Sequence, residues 1–316
     1  MKIAYIGSPA LSAGLLKKII ENRNDLGIEI DIVITQPDMP VGRKKVLTPT
    51  PVKELALQNN LPVSHDVKVL NDKNVELALL FAFGVIIPQK VLDLPTYGFW
   101  NIHPSMLPAY RGASPITFPL FLGEKVSGVT LMQMDAELDH GPIISQKSFS
   151  IPENSLRNEI EAGVIEISYN MISSAISNLS KNKFVNVVQQ NHTQATFTRP
   201  LLKQDGFIER SIVLKAIKGE SISEEELPQL IKEFYTINNK PLPNNTYNSS
   251  HIIWDMFRSL QGWPGIWTTF IHEGIEKRLK LTDVSLSENK LLINSLQIEG
   301  KNVVDWATFN QAHSLV

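Results

Sequence analysis

Residues 77–83, Leu77-Ala78-Leu79-Leu80-Phe81-Ala82-Phe83, contain no polar side chain. A strand with one face in water alternates, so a run that is apolar at every position predicts both faces covered, as in a parallel sheet layered between helices. Two β-branched runs, residues 3–6 and 30–34, flank a helical stretch around 11–20, the pattern of a βαβ unit. Residues 99–102 and 129–134 read as further strands. A helix is expected after Thr50, with Pro51 at its first position and Val52, Leu55 and Ala56 on one face. A longer helix is expected from about 155 to 179, with Ile160, Val164, Ile167, Met171 and Ala175 on one stripe. Strands alternating with helices give an α/β class with an open, mostly parallel sheet. Ligands of such sheets gather beyond the carboxyl ends of the strands.

The 316 residues suffice for two domains with a core each, and 43% hydrophobic against 20% charged residues describes an ordinary globular chain. The net charge of −2 excludes a protein that binds nucleic acid by overall charge, so any RNA contact must come from local basic patches. The absence of Cys excludes disulfides and thiolate metal sites and fits a reducing, cytoplasmic setting. The first apolar run is too short for a signal peptide, and no run approaches the roughly 20 residues that span a bilayer. The Asn-x-Ser/Thr matches at Asn244 and Asn248 then mean polar loop and nothing more.

Chemistry concentrates in Asn101-Ile102-His103-Pro104-Ser105-Met106-Leu107-Pro108, with Arg111-Gly112 behind it and Leu138-Asp139-His140-Gly141-Pro142 further on. An amide donor stabilises a developing oxyanion. An imidazole moves a proton near neutral pH, and a carboxylate orients that imidazole. With no Cys nucleophile beside them, Asn101, His103 and Asp139 suit direct attack by an amine on an activated acyl group. Asp135 and Glu137 compete with Asp139 for the acidic role, and an Asp before Gly is often only a turn residue. The Gly7-Ser8-Pro9 turn after the first strand lacks a dinucleotide fingerprint and reads as a plain strand-to-helix turn.

These segments resemble the catalytic signatures of the 10-formyltetrahydrofolate-dependent formyltransferases: N-I-H-P-S-x-L-P followed by R-G, and L-D-x-G-P. Three others are similar to the branch of that family that formylates methionyl initiator tRNA. They are Thr35-Gln36-Pro37-Asp38-Met39-Pro40-Val41-Gly42-Arg43 running into residues 47–53, Gln194-Ala195-Thr196-Phe197 with Lys203-Gln204-Asp205-Gly206, and Phe257-Arg258-Ser259-Leu260-Gln261-Gly262-Trp263-Pro264-Gly265. Together they cover nearly the whole chain in order.

The resemblance implies a Rossmann-like catalytic domain over 1–203 and a smaller OB-like β-barrel, tRNA-binding domain over 204–316. A Lys/Glu-bearing helical piece over 221–234 and Asn/Pro-rich coil would form an insertion at about 209–250. Beyond residue 252 a helix and short strands at 267–271, 278–284, 291–297 and around 303–309 would build the barrel. Asn101 and His103 would hold the oxyanion and Asp139 would assist proton transfer, with His140 incidental. Phe83, Gly84, Val85, Ile86 and Ile87 would line the pteridine slot, although an apolar strand end with a Gly turn would read identically. Ser105, Leu107 and Pro108 would shape the loop beside it.

Arg43, Lys44 and Lys45 would grip an RNA acceptor end or stay solvated. Lys277, Arg278 and Lys280 would track phosphates or form a solvated strand face. Trp263 and Trp267 favour packing over base stacking. No metal is implied, and a monomer is expected. Three other readings remain: a small-amine acceptor such as a glycinamide or amino-sugar nucleotide, a hydrolase that releases formate, and a non-catalytic RNA-binding module.

Overall fold

Leu77–Phe81 lies inside a seven-stranded sheet, and all five of its residues are buried. The computed structural model describes residues 1–42, 44–243, 247–272 and 274–313. Across the sheet the strands run Ile143–Ser150, Val126–Gln133, Phe99–His103, Leu77–Phe81, Lys2–Gly7, Glu29–Ile34 and Val63–Ser64. Lys2–Gly7 pairs in parallel with both Glu29–Ile34 and Leu77–Phe81, which pairs in parallel with Phe99–His103. Val126–Gln133 runs antiparallel to Phe99–His103, with Asn101 opposite Met132 and His103 opposite Thr130. The sheet is therefore mixed but mostly parallel.

The chain divides into two compact units, the first comprising residues 1–115, 127–150 and 161–196 and the second 116–126, 151–160 and 197–316. In the first, helix Ala10–Glu21 follows the first strand as expected. Helix Pro51–Gln58 starts on Thr50, whose hydroxyl accepts the Lys53 N–H at 3.1 Å. Ala4, Ile6, Ile34, Leu80, Phe83, Ile87 and Phe99 share one core cluster.

The second unit carries helices Arg210–Lys218, Gln229–Ile237 and Ser249–Ser259 and an antiparallel four-stranded sheet of Ile266–His272, Ile275–Ser287, Lys290–Ile298 and Val303–Asp305 in chain order. Inside it the Phe234 ring lies 5.5 Å from that of Phe118, and Trp254 donates its indole N–H to the Glu153 carbonyl at 3.1 Å. The 209–250 segment thus contributes core.

Four expectations need correction. Helix Arg157–Asn182 buries Ile160, Val164, Ser168, Ile172, Ala175, Ile176 and Leu179, leaving Ile167 and Met171 half-buried. Ser168 is tolerated there because its hydroxyl bonds the Val164 carbonyl at 2.6 Å. The helical piece over 221–234 begins instead as strand Ser221–Ile222, and its helix starts after Pro228, which disfavours helical backbone at Leu227. The segment around 303–309 is strand only to Asp305, whose carboxylate accepts the Thr308 N–H at 2.8 Å and caps helix Trp306–Ala312. Trp263 is 56% exposed, so it is not a packing residue, whereas Trp254 is buried as expected.

Candidate active site

Asn101 and His103 sit two residues apart on one strand and so project to the same face. They are 7% and 4% exposed, and both reach one oxygen. Asp139 Oδ1 lies 3.4 Å from Asn101 Nδ2 and 3.5 Å from His103 Nδ1. These separations exceed those of settled hydrogen bonds, so Oδ1 keeps capacity for another partner. The other oxygen, Oδ2, accepts the Gly112 N–H at 2.7 Å. Asp135 and Glu137 are excluded from this position: Asp135 bonds His140 Nδ1 at 2.7 Å, and Glu137 lies 3.8 Å from His140 Nε2.

His103 Nε2 lies 2.9 Å from the Tyr110 carbonyl. A carbonyl only accepts, so Nε2 carries a proton, and the ring can exchange a proton only at Nδ1, the atom facing Asp139. The loop that presents this carbonyl is pinned on both sides. Tyr110 N–H donates to Thr196 Oγ1 and Arg111 N–H to the Thr196 carbonyl, each at 2.8 Å. Ser105 donates its hydroxyl to the Ala109 carbonyl at 2.6 Å, which removes it as a nucleophile. Thr130 Oγ1 accepts the Leu107 N–H and donates to the Ser105 carbonyl, while Gln146 Nε2 donates to the Leu107 carbonyl.

Asp139 adopts φ +48, a left-handed backbone that favours glycine and that Asp tolerates better than most residues. Gln190, 5% exposed, donates Nε2 to the Asp139 carbonyl at 2.9 Å and to the Gly141 carbonyl at 2.7 Å. Its Oε1 accepts from Arg111 Nη2 at 2.6 Å, and the same Nη2 reaches His192 Nδ1 at 2.8 Å. Burial pulls the Arg111 guanidinium below its ordinary range, and the carboxylates of Asp139, Asp135 and Glu137 pull it back. His192 in turn stacks on His140 with ring centres 3.8 Å apart. His140 is thus in contact with this network through His192 and Asp135. Neither Gln190 nor His192 stood out in the sequence, and only the Arg111-Gly112 pair did.

The other expected residues divide by location. Phe83–Ile87 follows the strand beside Phe99–His103, in which Leu80 pairs with Asn101. Phe83 and Ile87 point into the core, the Phe83 carbonyl accepts Gln36 Nε2 at 2.6 Å, and Ile86 is 88% exposed beside half-exposed Val85. Gly84 between them and Phe83 has φ +73, so Val85 and Ile86 are carried out of the core as exposed apolar side chains. Leu107 is buried, and Pro108 offers its carbonyl to the Thr196 N–H at 3.2 Å, so both shape the loop.

Lys44 and Lys45 are exposed, and Arg43 lies outside the described residues. On strand Ile275–Ser287, Arg278 bonds Glu299 at 3.1 Å and stands 5.6 Å from the Trp267 ring, and Lys280 pairs with Trp267 across the sheet. Lys277, one residue from Arg278, projects to the opposite face.

A formyl transferase family profile matches residues 1–176. Methionyl-tRNA formyltransferase of Caldicellulosiruptor saccharolyticus is 33% identical over 91% of this chain and 81% of its own. The enzyme of the same name from Thermotoga neapolitana is 35% identical over 72% of this chain and 74% of its own. Among solved structures, a Helicobacter canadensis N-formyltransferase complexed with folinic acid and dTDP-3-aminofucose covers 96% of this chain and 98% of its own with a TM-score of 0.57. At 16% identity it is a likeness of fold.

Proposed function

Because this chain belongs to the formyl transferase family, we propose that it passes the formyl group of 10-formyltetrahydrofolate to the α-amine of methionyl initiator tRNA. The observation that carries the chemistry is the convergence of Asn101 Nδ2 and His103 Nδ1 on one oxygen of Asp139, among side chains that are nearly dry. The acceptor rests on the identity to methionyl-tRNA formyltransferases over most of the chain.

Gly84, Val85 and Ile86 would hold the folate, which would supply an activated formyl group when bound. Asn101 has one amide hydrogen directed at Asp139 and a second available to the formyl oxygen as negative charge builds there. A donor preorganised in this way is worth about 3–4 kcal/mol of barrier. The attacking amine must be neutral, and it gives up its proton as the new bond forms. His103 Nδ1 is the ring atom able to take that proton and to pass it to the folate nitrogen as the bond between that nitrogen and the formyl carbon breaks, and Asp139 stabilises the charged ring. Attack is direct, since Ser105 is committed to a backbone carbonyl and the chain has no Cys.

The functional division we assign is formyl transfer to residues 1–203 and RNA binding to 204–316. Within the RNA-binding set, Arg278 and Lys280 lie on the strand face that meets Trp267, a ring packed against Phe207, and Lys277 is weaker because it leaves the opposite face of the strand. Lys44 and Lys45 give a second exposed cationic element. The setting is cytoplasmic, in keeping with the absence of Cys, and the working form a monomer.

The test is an acceptor comparison. Purified protein with 10-formyltetrahydrofolate is given methionyl initiator tRNA, a glycinamide nucleotide or a dTDP-amino sugar, and kcat/KM is measured for each. The RNA should exceed both small amines by at least about 1,000-fold, which corresponds to about 4 kcal/mol of differential binding. A small amine that matches the RNA would move the acceptor assignment.

A further inference from the structure

We infer that Gln190, held by Arg111, is a positioning residue for formyl transfer: its carboxamide fixes the backbone that aims Asp139 at His103. The inference rests on the role of Asp139 proposed above.

The brace can be read in only one orientation. Gln190 faces two carbonyls, of Asp139 and Gly141, and one guanidinium. Carbonyls only accept and guanidinium only donates, so the amide nitrogen must face the carbonyls and the amide oxygen must face Arg111. Both amide hydrogens and the amide oxygen then have partners, in a place closed to water. The two carbonyls bracket the segment Asp139-His140-Gly141, whose left-handed residue is Asp139 itself.

Gly141 completes the arrangement: a Cβ there would fall 1.9 Å from the Gln133 carbonyl, so the turn can be neither filled nor shifted toward that strand. Arg111 ties the brace to the second half of the site, since its neighbour Gly112 supplies the N–H on Asp139 Oδ2 and its own N–H is bound by Thr196. The Gln190 amide, at the backbone, and the Gly112 N–H, at Oδ2, together set where the Asp139 oxygens lie. Without the Gln190 amide, Asp139 relaxes toward ordinary backbone and Oδ1 leaves His103 Nδ1.

A displacement of about 1 Å at a reacting group costs on the order of 100-fold in rate. Gln190→Met, which keeps length and volume and removes every hydrogen bond, should lower kcat about 100-fold. KM for folate and for tRNA should stay within about 3-fold, because neither substrate touches the amide. Gln190→Glu adds a distinguishing readout. Its carboxylate would keep the pairing with Arg111 Nη2, beside His192, yet oppose two carbonyls with no donor, whereas the protonated acid would restore one donor.

The experiment measures kcat, both KM values and the thermal midpoint for wild type, Gln190→Met, Gln190→Glu and Asp139→Asn, with rates taken from pH 5.5 to 8.5. The expected result is a kcat loss without a matching KM change. The rate of Gln190→Glu relative to wild type should rise as pH falls, while that of Gln190→Met stays flat. A purely structural glutamine would give variants that lose thermal stability and all kinetic constants together with no pH-dependent rescue, which overturns the inference. An inactive Asp139→Asn beside a fully active Gln190→Met overturns it alone. An active Asp139→Asn overturns it together with the site reading.

Discussion

The strand end bearing Asn101 and His103 and the strand bearing Lys277, Arg278 and Lys280 are built on opposite plans. At the first, the side chains are 7% and 4% exposed, and the surrounding backbone is fixed by Thr196, Thr130 and Gln190. At the second, all three cations are half-buried on an antiparallel strand, and Arg278 is held by Glu299 and the Trp267 ring. Bond-making needs donors that are already in place, because reorganising them at the moment of reaction costs rate. Binding a phosphate backbone tolerates adjustable, hydrated cations, and much of its free energy comes from released counterions. On the function proposed above, the stiff region would serve the chemistry and the charged strand the grip.

This contrast can be broken most sharply at Asn101. Asn101→Ala should lower kcat by about 100- to 1,000-fold. Binding of methionyl-tRNA, measured by equilibrium filter retention, should stay near wild type. A parallel loss of rate and affinity would mean that Asn101 supports structure and that the two regions are not separable.

The converse substitution should give the opposite pattern with a smaller effect. Lys277→Ala with Lys280→Ala should weaken tRNA binding about 10-fold at low salt with little change in kcat. The slope of log affinity against log salt should become shallower by about 0.7–0.9 for each phosphate no longer neutralised. An unchanged slope would leave these lysines as a solvated face and return RNA binding to Lys44 and Lys45.

Much of this contrast was legible in the chain. A run without polar residues at 77–83 could be buried only on both faces, and the neighbouring Asn101 and His103 had to fall at a strand end beyond it. Asp139 was separable from Asp135 and Glu137 only by the segment around it, since any of the three can satisfy a histidine. Gln190 was not legible: it lies 51 residues from Asp139 in the chain, and its partners are backbone carbonyls, which leave no pattern in side-chain chemistry. The same holds for Ser168, a hydroxyl that enters a buried stripe by bonding its own helix.

The smallest expected effect is purely local and belongs to the second unit. Hydrogen bonds from the Thr308 N–H and hydroxyl hold the Asp305 carboxyl below its ordinary range. Its stabilisation is then fully present above the unfolded pKa and is lost as pH falls through the lower folded value. Asp305→Ala should lower the thermal midpoint at pH 7, and the difference from wild type should shrink as pH falls below about 4. A difference independent of pH would assign the effect to helix propensity and not to the cap.

Direct attack by the tRNA amine on the formyl group is the step on which the roles of Asn101, His103 and Asp139 all depend. It is tested by following both products in one reaction: formylmethionyl-tRNA and free tetrahydrofolate, with and without charged tRNA. Direct attack requires equal amounts of the two, and no folate release when the tRNA is absent or uncharged. Folate release that continues without an aminoacylated acceptor would contradict it, because water and not an amine would then be the nucleophile at Asn101, His103 and Asp139.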